Sequence, residues 1–278
     1  MDRTWLITGC STGFGRELAL ELIERGEQVV ATARNPEAIA DIVARAPDRV
    51  LGCRLDVTVQ AQIDETVRAA LDRFGRIDVL VNNAGYALVG GAEEVAPAEY
   101  RHLFDTNFFG LVAMTQAVLP AMRARRNGHI INISSMGGIS GGLGMAFYGA
   151  TKFALAGFSE SLALDAGVLG IRVTIVEPGP HRTEALSQAT FAAREISEYA
   201  ETVGRFRSLV AKAARNEPGD ARLAARAIIT AADASHPPLH LPLGAEAIAR
   251  LDRKIAALLA DRDRWLQTSL STTPIGQP

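Results

Sequence analysis

The chain has 278 residues, of which 48% are hydrophobic and 22% charged, so it can bury a substantial core in one large α/β domain or two small ones. A formal net charge of −2 gives no electrostatic basis for binding nucleic acid or an anionic membrane, and no apolar run of about 18 residues predicts a membrane span. The two cysteines lack metal-ligand spacing and predict neither a disulfide framework nor a metal site, and without a signal-peptide pattern we expect a cytoplasmic protein.

A glycine-rich turn follows the first predicted strand, at residues 4–8, and precedes a helical pattern of leucines. In this setting glycines let the backbone approach a pyrophosphate, whose charge lies at the helix N-terminus. The spacing Gly-x-x-x-Gly-x-Gly differs from the common Gly-x-Gly-x-x-Gly fingerprint, and a glycine-rich turn by itself is weak evidence. Its position after the first strand predicts a dinucleotide site. The predicted contacts are Gly9, Ser11, Thr12, Gly13, Phe14 and Gly15.

The second predicted strand, at residues 28–34, ends in a residue that bears on the choice of dinucleotide. An acidic residue there would bind the adenosine ribose hydroxyls and favour NAD. This chain has Ala33 and then Arg34, and a guanidinium is suited to a 2′-phosphate. The alternative is an ordinary surface arginine at a strand end. We predict NADP as the cofactor, with NAD as the alternative.

The third and fourth predicted strands also end in polar residues. Asp56 follows the third strand, where its carboxylate can meet the adenine amino group or act as a helix N-cap feature near Thr58. The fourth strand runs into a polar turn whose backbone amides can line the cofactor. At least one of Asn82 and Asn83 is expected to brace neighbouring strands instead. The predicted cofactor contacts here are Asp56, Val57, Asn83, Ala84 and Gly85.

A long helix is predicted from Pro97 to about residue 124, and a polar residue lies near its middle. Asn107 is surrounded by Phe104, Phe108 and Leu111. A buried asparagine needs hydrogen-bond partners. Asn107 is therefore either a structural polar plug or a member of the site.

A serine, a tyrosine and a lysine form the central pattern of the sequence. Ser135 follows the buried strand predicted at residues 129–133, and the carboxyl end of such a strand is where an α/β sheet places ligands. Tyr148 and Lys152 are four residues apart, so on a helix they project from one face. A fixed ammonium lowers the pKa of a neighbouring phenol, which suits acid–base chemistry. We predict that the three side chains hold and protonate an oxygen while a dinucleotide delivers hydride to the adjacent carbon.

The rest of the chain supplies the expected substrate side and the end of the fold. After a sixth predicted strand at residues 172–177, the segment 184–216 is a loosely amphipathic helical pattern suited to a lid. A seventh strand is predicted at residues 239–243, a final helix at 246–262 and a mobile tail at about 268–278. Candidate substrate-lining residues, for which ordinary core or loop roles stay open, are Met136, Leu143, Met145, His181 and Leu186.

Alternation of apolar strands with helices predicts one domain over residues 1–278, with a mostly parallel sheet covered on both faces. The ordered motifs of this domain are Thr8-Gly9-x-x-x-Gly13-x-Gly15, Asn82-Asn83-Ala84-Gly85, Ser135, Tyr148-x-x-x-Lys152 and Pro178-Gly179. This set resembles the short-chain dehydrogenase/reductase family, in its single-domain branch, from residue 8 to about residue 183. The resemblance implies a doubly wound, Rossmann-type sheet of seven strands.

The resemblance also implies roles for the site residues. Tyr148 would be the general acid/base, Lys152 its pKa tuner and nicotinamide-ribose anchor, and Ser135 the residue that holds the carbonyl. Asn107 matches the asparagine that holds a relay water. Pro178, Gly179 and Thr183 match cofactor contacts, Thr183 that with the carboxamide, and Arg34 matches the NADP-preferring position. Association through the helices at about 97–124 and 147–166 would give a homodimer or homotetramer.

The predicted function is an NADP(H)-dependent oxidoreductase that interconverts a small-molecule carbonyl compound and an alcohol. One alternative is a catalytically silent dinucleotide-binding sensor or scaffold, which the presence of the serine, the tyrosine and the lysine disfavours. Another is an isomerase that recycles bound cofactor. Relatives of that kind usually have a different glycine spacing and a longer substrate domain, neither of which occurs here.

Overall fold

The fold is built on one sheet of seven parallel strands. The computed structural model describes residues 2–183, 189–213 and 218–273. In chain order the strands are β1 Thr4–Ile7, β2 Gln28–Ala33, β3 Val50–Arg54, β4 Val79–Asn82, β5 Gly128–Ile133, β6 Ile171–Pro178 and β7 His240–Leu243. Their spatial order is β3-β2-β1-β4-β5-β6-β7, and each neighbouring pair is parallel. The predicted doubly wound, Rossmann-type sheet is confirmed, and its strand order reverses direction between β1 and β4, where such sheets bind ligands.

Helices cover both faces of this sheet. Within the described residues the α-helices are α1 Gly13–Glu24, α2 Ala40–Arg45, α3 Gln60–Phe74, α4 Pro97–Phe104, α5 Gly110–Arg125, α6 Ala146–Gly167, α7 Arg205–Ala213, α8 Ala221–Asp233 and α9 Ala245–Leu270. None of them is long and apolar enough to cross a membrane.

Alternate residues of each strand point to opposite faces, and both faces are apolar. In β1, Trp5 and Ile7 pack in a core shared with α1, α2 and α8, whereas Leu6 packs in a second core shared with α3, α5 and α6. All three side chains are fully buried. A strand covered on both sides has no polar face, which is why these strands are continuous apolar runs in the sequence.

The long helix predicted from Pro97 is two helices joined by a π-helical turn. This turn, Asp105–Phe109, lies between α4 and α5, and Asn107 is at its centre. Such turns insert one residue into a helix and are frequent at functional sites. Continuous 3.6-residue periodicity in the sequence gave no indication of the extra residue.

The segment predicted as a lid is only partly helical in its described residues. It contains a short strand at Thr190–Phe191 that pairs with Leu88–Val89, a 3₁₀ turn at Ser197–Tyr199, a π-helical turn at Ala200–Gly204 and then α7. Residues 184–188 and 214–217 lie outside the described residues.

Two features near the end of the chain differ from the sequence prediction. Helix α8 was not predicted. The final helix continues to Leu270, well past residue 262, so its last turn occupies the start of the segment predicted as a mobile tail. Apolar residues recur at helical spacing beyond residue 262, in agreement with the longer helix. A second short strand pair joins His181–Arg182 to Gly219–Asp220, ahead of α8.

Candidate active site

The glycine-rich turn after β1 is held in shape by residues at the end of β4. Thr8 Oγ1 accepts hydrogen bonds from the amides of Asn83 and Ala84, each at 2.9 Å. The Asn83 side chain donates in return to the carbonyls of Thr8 and Gly9, each at 2.9 Å. Two predicted groups of cofactor contacts therefore form one unit at the strand-order reversal.

Asn82, in contrast, braces the sheet. Its side-chain amide donates to Thr115 Oγ1 at 3.1 Å and to Asn132 Oδ1 at 2.9 Å, which ties β4 to α5 and β5. The prediction that at least one of the two asparagines braces neighbouring strands is confirmed.

The turn leaves no room for a side chain at Gly15. A Cβ atom there would lie 2.5 Å from Asn83 Nδ2 and would also collide with the Gly9 carbonyl oxygen. Gly9 and Gly13 have φ angles of +73° and +58°, which favour glycine. The tight turn brings the backbone directly into the N-terminus of α1.

The N-terminus of α1 fits a phosphate group. Its first turn carries no acidic side chain, and the N-cap residue Thr12 forms no side-chain capping bond with any described residue. Backbone amides and the positive end of the helix dipole are therefore available to an anion. A cleft of about 440 Å³ opens here, lined by Ser11, Thr12, Gly13, Arg16, Glu17, Arg182, Thr183 and Ala221.

Two residues of this cleft show how its walls meet. A Cβ atom on Gly13 would lie 3.5 Å from Thr183, so the loop after β6 lies against the glycine-rich turn. Arg16, which the sequence analysis missed, is held by a two-pronged ion pair with Asp41. In the sequence, Arg16 could have been found from its position in the first turn of α1, directly after Gly15.

Arg34 and Asp56 lie at the same end of the site. Arg34 is exposed directly after β2, and Asp56 follows β3. The Asp56 carboxylate accepts hydrogen bonds from the amide and hydroxyl of Thr58, at 2.9 and 2.7 Å, in a turn that precedes α3. Partial burial acts to raise the pKa of Asp56, but these bonds and the positive charge of Arg34 outweigh it and lower the pKa. Val57 is buried against Gly110 at the start of α5.

Ser135 and Tyr148 meet beside the glycine-rich loop between β5 and α6. Ser135 Oγ accepts a hydrogen bond from the Gly137 amide at 3.0 Å. A Cβ atom on Gly137 would lie 3.4 Å from the Tyr148 ring and 3.5 Å from Ser135 Oγ, so the two side chains flank the same glycine. Burial raises the pKa of Tyr148, and the neighbouring Ser135 hydroxyl opposes that shift without cancelling it. The phenol therefore keeps its proton at neutral pH.

Lys152 is buried in the interior, beside the Tyr148 ring. Only 6% of the residue is exposed, its Nζ donates to the Ile133 carbonyl at 2.8 Å, and Nζ is 5.8 Å from the centre of the Tyr148 ring. Burial lowers the pKa of Lys152 to about 8. The sequence analysis expected the ammonium to lower the pKa of the phenol. Instead that pKa is raised, because desolvation of the phenol outweighs the groups around it.

Asn107 connects the end of β4 to α6. Its Oδ1 accepts from the Tyr86 amide at 3.0 Å, and its Nδ2 donates to the Tyr86 carbonyl at 2.9 Å and to Thr151 Oγ1 at 3.3 Å. A Cβ atom on Gly85 would lie 3.0 Å from Asn107 Oδ1 and 3.9 Å from Lys152 Nζ. Asn107 is thus a buried polar bridge and also lies beside the serine–tyrosine–lysine group.

Three of the predicted substrate-lining residues lie on one loop. Met136, Leu143 and Met145 are on the loop that carries Ser135, and Leu143 is exposed. The segment at residues 200–206 packs on this loop, because a Cβ atom on Gly144 would lie 3.0 Å from the Phe206 ring.

The other two predicted substrate residues are not placed in that group. His181 Nδ1 is 2.9 Å from the Gly179 carbonyl oxygen, and its ring packs edge-on against Phe14, with 5.3 Å between ring centres. This places His181 on the side of the glycine-rich turn, just after Pro178 and Gly179 at the end of β6. Leu186 lies outside the described residues.

A buried ion pair attaches the segment at residues 189–213 to the body of the protein. Arg207 Nη2 is 3.1 Å from Glu94 Oε2, and both side chains are buried. The Glu94 carboxylate also accepts from the Ile196 amide at 2.9 Å, and Arg207 donates to the Ala192 carbonyl at 3.1 Å. The sequence analysis missed this pair.

Comparisons with known proteins agree with this geometry. The sequence model of the family described as short chain dehydrogenase matches residues 3–193. Retinol dehydrogenase 8 of Homo sapiens is 41% identical over 253 residues, covering 85% of this chain and 80% of that protein. A solved short-chain dehydrogenase from Streptomyces avermitilis has a TM-score of 0.91 at 42% identity, covering 98% of each chain. ElxO, solved with NADP bound, has a TM-score of 0.74 at 28% identity, covering 90% of this chain and 100% of its own.

Replacing Gly15 with alanine tests the close packing of the turn. The new methyl group would displace the Gly9 carbonyl or Asn83, so we expect the Gly15→Ala protein to bind NADP at least about tenfold more weakly, in a titration followed by fluorescence. Gly157→Ala is the matched control, because Gly157 lies in α6 with no described atom within 4 Å of a new Cβ. Equal affinities for both variants and the wild type would contradict a phosphate site at this turn.

Breaking the ion pair tests how residues 189–213 are attached. Arg207→Met leaves the buried Glu94 carboxylate without its cation, and we expect about 3 kcal/mol less stability in urea unfolding. Proteolytic cleavage within residues 189–213 should also become faster. Arg205→Met removes an exposed i,i+4 pair with Glu201 and should change little. Similar effects of the two substitutions would show that burial of the pair is unimportant.

Proposed function

The chain belongs to the short-chain dehydrogenase family of oxidoreductases, and we propose that it interconverts a carbonyl compound and an alcohol with NADP(H), using Tyr148 as the general acid/base. One observation carries this proposal. Ser135 and Tyr148 both lie beside Gly137, and the buried ammonium of Lys152 is 5.8 Å from the centre of the Tyr148 ring. These are the donors that a developing alkoxide needs.

In the proposed reaction the protein supplies the proton and orients the oxygen. A bound nicotinamide dinucleotide supplies or accepts the hydride. Tyr148 holds its proton at neutral pH and can donate it to the substrate oxygen in the direction of reduction. Because Ser135 Oγ already accepts from the Gly137 amide, its own proton is directed elsewhere, toward Tyr148 or the substrate oxygen.

Lys152 stabilises the tyrosine after proton donation. A pKa of about 8 leaves the ammonium mostly charged at pH 7, so it can stabilise the phenolate that forms. One of its three N–H bonds is used by the Ile133 carbonyl, which fixes its position. Asn107 lies next to the same ammonium across Gly85, and we assign it the role of fixing the backbone at Tyr86 and the turn of α6 at Thr151.

NADP is proposed as the cofactor on two grounds. Arg34 is exposed at the end of β2, where an acidic residue would select NAD, and it lies close enough to Asp56 to influence its pKa. ElxO, which shares this fold, has been solved with NADP bound. The 2′-phosphate would be bound at this end of the cleft and the pyrophosphate at the N-terminus of α1.

The proposed lid is the segment around residues 189–213. It packs on the loop that carries Ser135, at Gly144, and is attached through the buried pair of Glu94 and Arg207. The side chains that this region offers to a substrate are apolar: Met136, Leu143 and Met145. We infer that the reacting carbonyl or hydroxyl group is carried on an apolar molecule. Retinol, the alcohol in the name of one relative, is such a molecule.

Tyr148→Phe tests the acid/base assignment. Removing the hydroxyl should lower turnover by about 10³-fold while NADPH binding changes little, because the phenol donates the proton and the cleft holds the cofactor. The assay is NADPH oxidation with a panel of apolar ketones and aldehydes. Tyr100→Phe removes a phenol that stacks on Phe147 and should keep wild-type turnover.

Three outcomes of that assay would contradict the proposal. Undiminished turnover in Tyr148→Phe would remove the tyrosine from the mechanism. Wild-type protein that binds NADPH but reduces nothing in the panel would favour a sensor or scaffold. Retained cofactor with substrate conversion but no net NADPH consumption would favour an isomerase.

Arg34→Asp tests the choice of cofactor. Loss of the guanidinium and gain of a carboxylate should reverse the preference from NADP to NAD, measured as the ratio of kcat/KM for the two cofactors. Arg123→Asp makes the same change of charge near the end of α5, shortly before β5 begins. Arg123 therefore lies at the amino ends of the strands, whereas Arg34 lies at their carboxyl ends. If both variants keep the wild-type ratio, Arg34 does not bind the 2′-phosphate.

A further inference from the structure

The last helix extends away from the body of the protein. The first turns of α9 pack beside β7 and bury Ala247. From Ile255 to Leu270 every residue is exposed in the described structure. These residues form a rod about 24 Å long, at 1.5 Å per residue, without cover from the rest of the described chain. An isolated helix of this length is only marginally stable in water, so contact with a partner would stabilise the rod.

The rod carries an apolar seam with coiled-coil spacing. The seam positions alternate by three and four residues: Ile248, Leu251, Ile255, Leu258, Arg262 and Trp265. This 3.5-residue period is that of a helix packed lengthwise against another helix. Leu251 is half-buried, but Ile248, Leu258 and Trp265 are 50%, 55% and 58% exposed, so most of the seam is open.

We propose that α9 pairs with α9 of a second copy of this chain, in antiparallel orientation. A parallel pair would place Arg262 directly against Arg262 of the second copy, because matching seam positions face each other. The antiparallel pair centred between residues 256 and 257 avoids this clash. It places Ile255 against the second copy's Leu258, Ile248 against its Trp265 and Arg262 against its Leu251. The two Arg262 side chains are therefore in separate layers, where each can extend its charged end to solvent.

The charges beside the seam favour the same register. In the antiparallel pair Lys254 lies beside the second copy's Asp261, and the two-fold axis repeats this contact on the other side. Two opposite-charge pairs therefore border the apolar centre. This surface differs from the helices at about 97–124 and 147–166, through which the family resemblance predicts association.

A membrane surface is a poorer match to the same face. Helices that lie on membranes carry lysine and arginine along their apolar border. Here Asp252 and Asp263 lie along one border and Asp261 lies with Lys254 along the other, so neither border is uniformly basic. The whole chain also has a net charge of −2.

The test measures the mass of the assembly by sedimentation velocity in four full-length variants. Leu258→Asp buries a carboxylate in the seam and should halve the wild-type mass. Lys254→Glu places two acidic residues side by side and should weaken assembly, and adding Asp261→Lys should restore it. Arg253→Glu makes the same charge change on the opposite face of α9 and should leave the mass unchanged. NADPH binding and the circular dichroism spectrum of each variant establish that the body is folded.

Two results would overturn the proposal. Equal masses for the wild type and Leu258→Asp would exclude pairing through α9. If the wild type then sediments with phosphatidylserine vesicles and Leu258→Asp does not, the face binds membranes instead. A halved mass in Leu258→Asp without rescue by the Lys254→Glu, Asp261→Lys double variant would reject the antiparallel register.

Discussion

The site depends on placing one ammonium group inside the protein. Burying an unpaired charge costs several kcal/mol, and a carbonyl at the end of a strand offsets part of that cost. Lys152 reaches the Ile133 carbonyl only because α6 approaches the end of β5 closely. Gly138 permits that approach, since a Cβ atom there would lie 2.5 Å from Ser134 Oγ and 3.1 Å from the Lys152 carbonyl oxygen. The glycines of this loop therefore position the lysine as well as shape the loop.

The cofactor half of the site uses close backbone approach in the same way. Gly15 brings α1 against the Gly9 carbonyl and Asn83, and the Asn83 side chain bonds back to the turn. The two halves meet at Gly85, which is near both Asn107 Oδ1 and Lys152 Nζ. A rigid connection of this kind would fix the distance between a cofactor bound at the turn, as proposed, and the hydroxyls of the loop. Hydride transfer and proton transfer require such a fixed distance together.

Much of this architecture was predictable because it is encoded locally. The seven strands are apolar runs, the glycine-rich turn directly follows the first of them, and the four-residue spacing of Tyr148 and Lys152 places them on one helix face. Interactions between distant residues were not predictable. Asn107 gains its partners at Tyr86 and Thr151 only through tertiary structure. The direction of the Tyr148 pKa shift depends on burial, which spacing does not reveal.

The attachment of residues 189–213 shows why the missed contacts matter for function. Apolar packing alone permits many similar positions of a segment. The hydrogen-bonded pair of Glu94 and Arg207, 113 residues apart in the sequence, defines a single attachment point. A buried ion pair contributes little net stability, because both charges are well solvated when it opens. The pair therefore fixes where the segment attaches more than how tightly the segment is held. For the lid proposed above, this attachment would allow the segment to cover an apolar substrate in a defined place and still open for exchange.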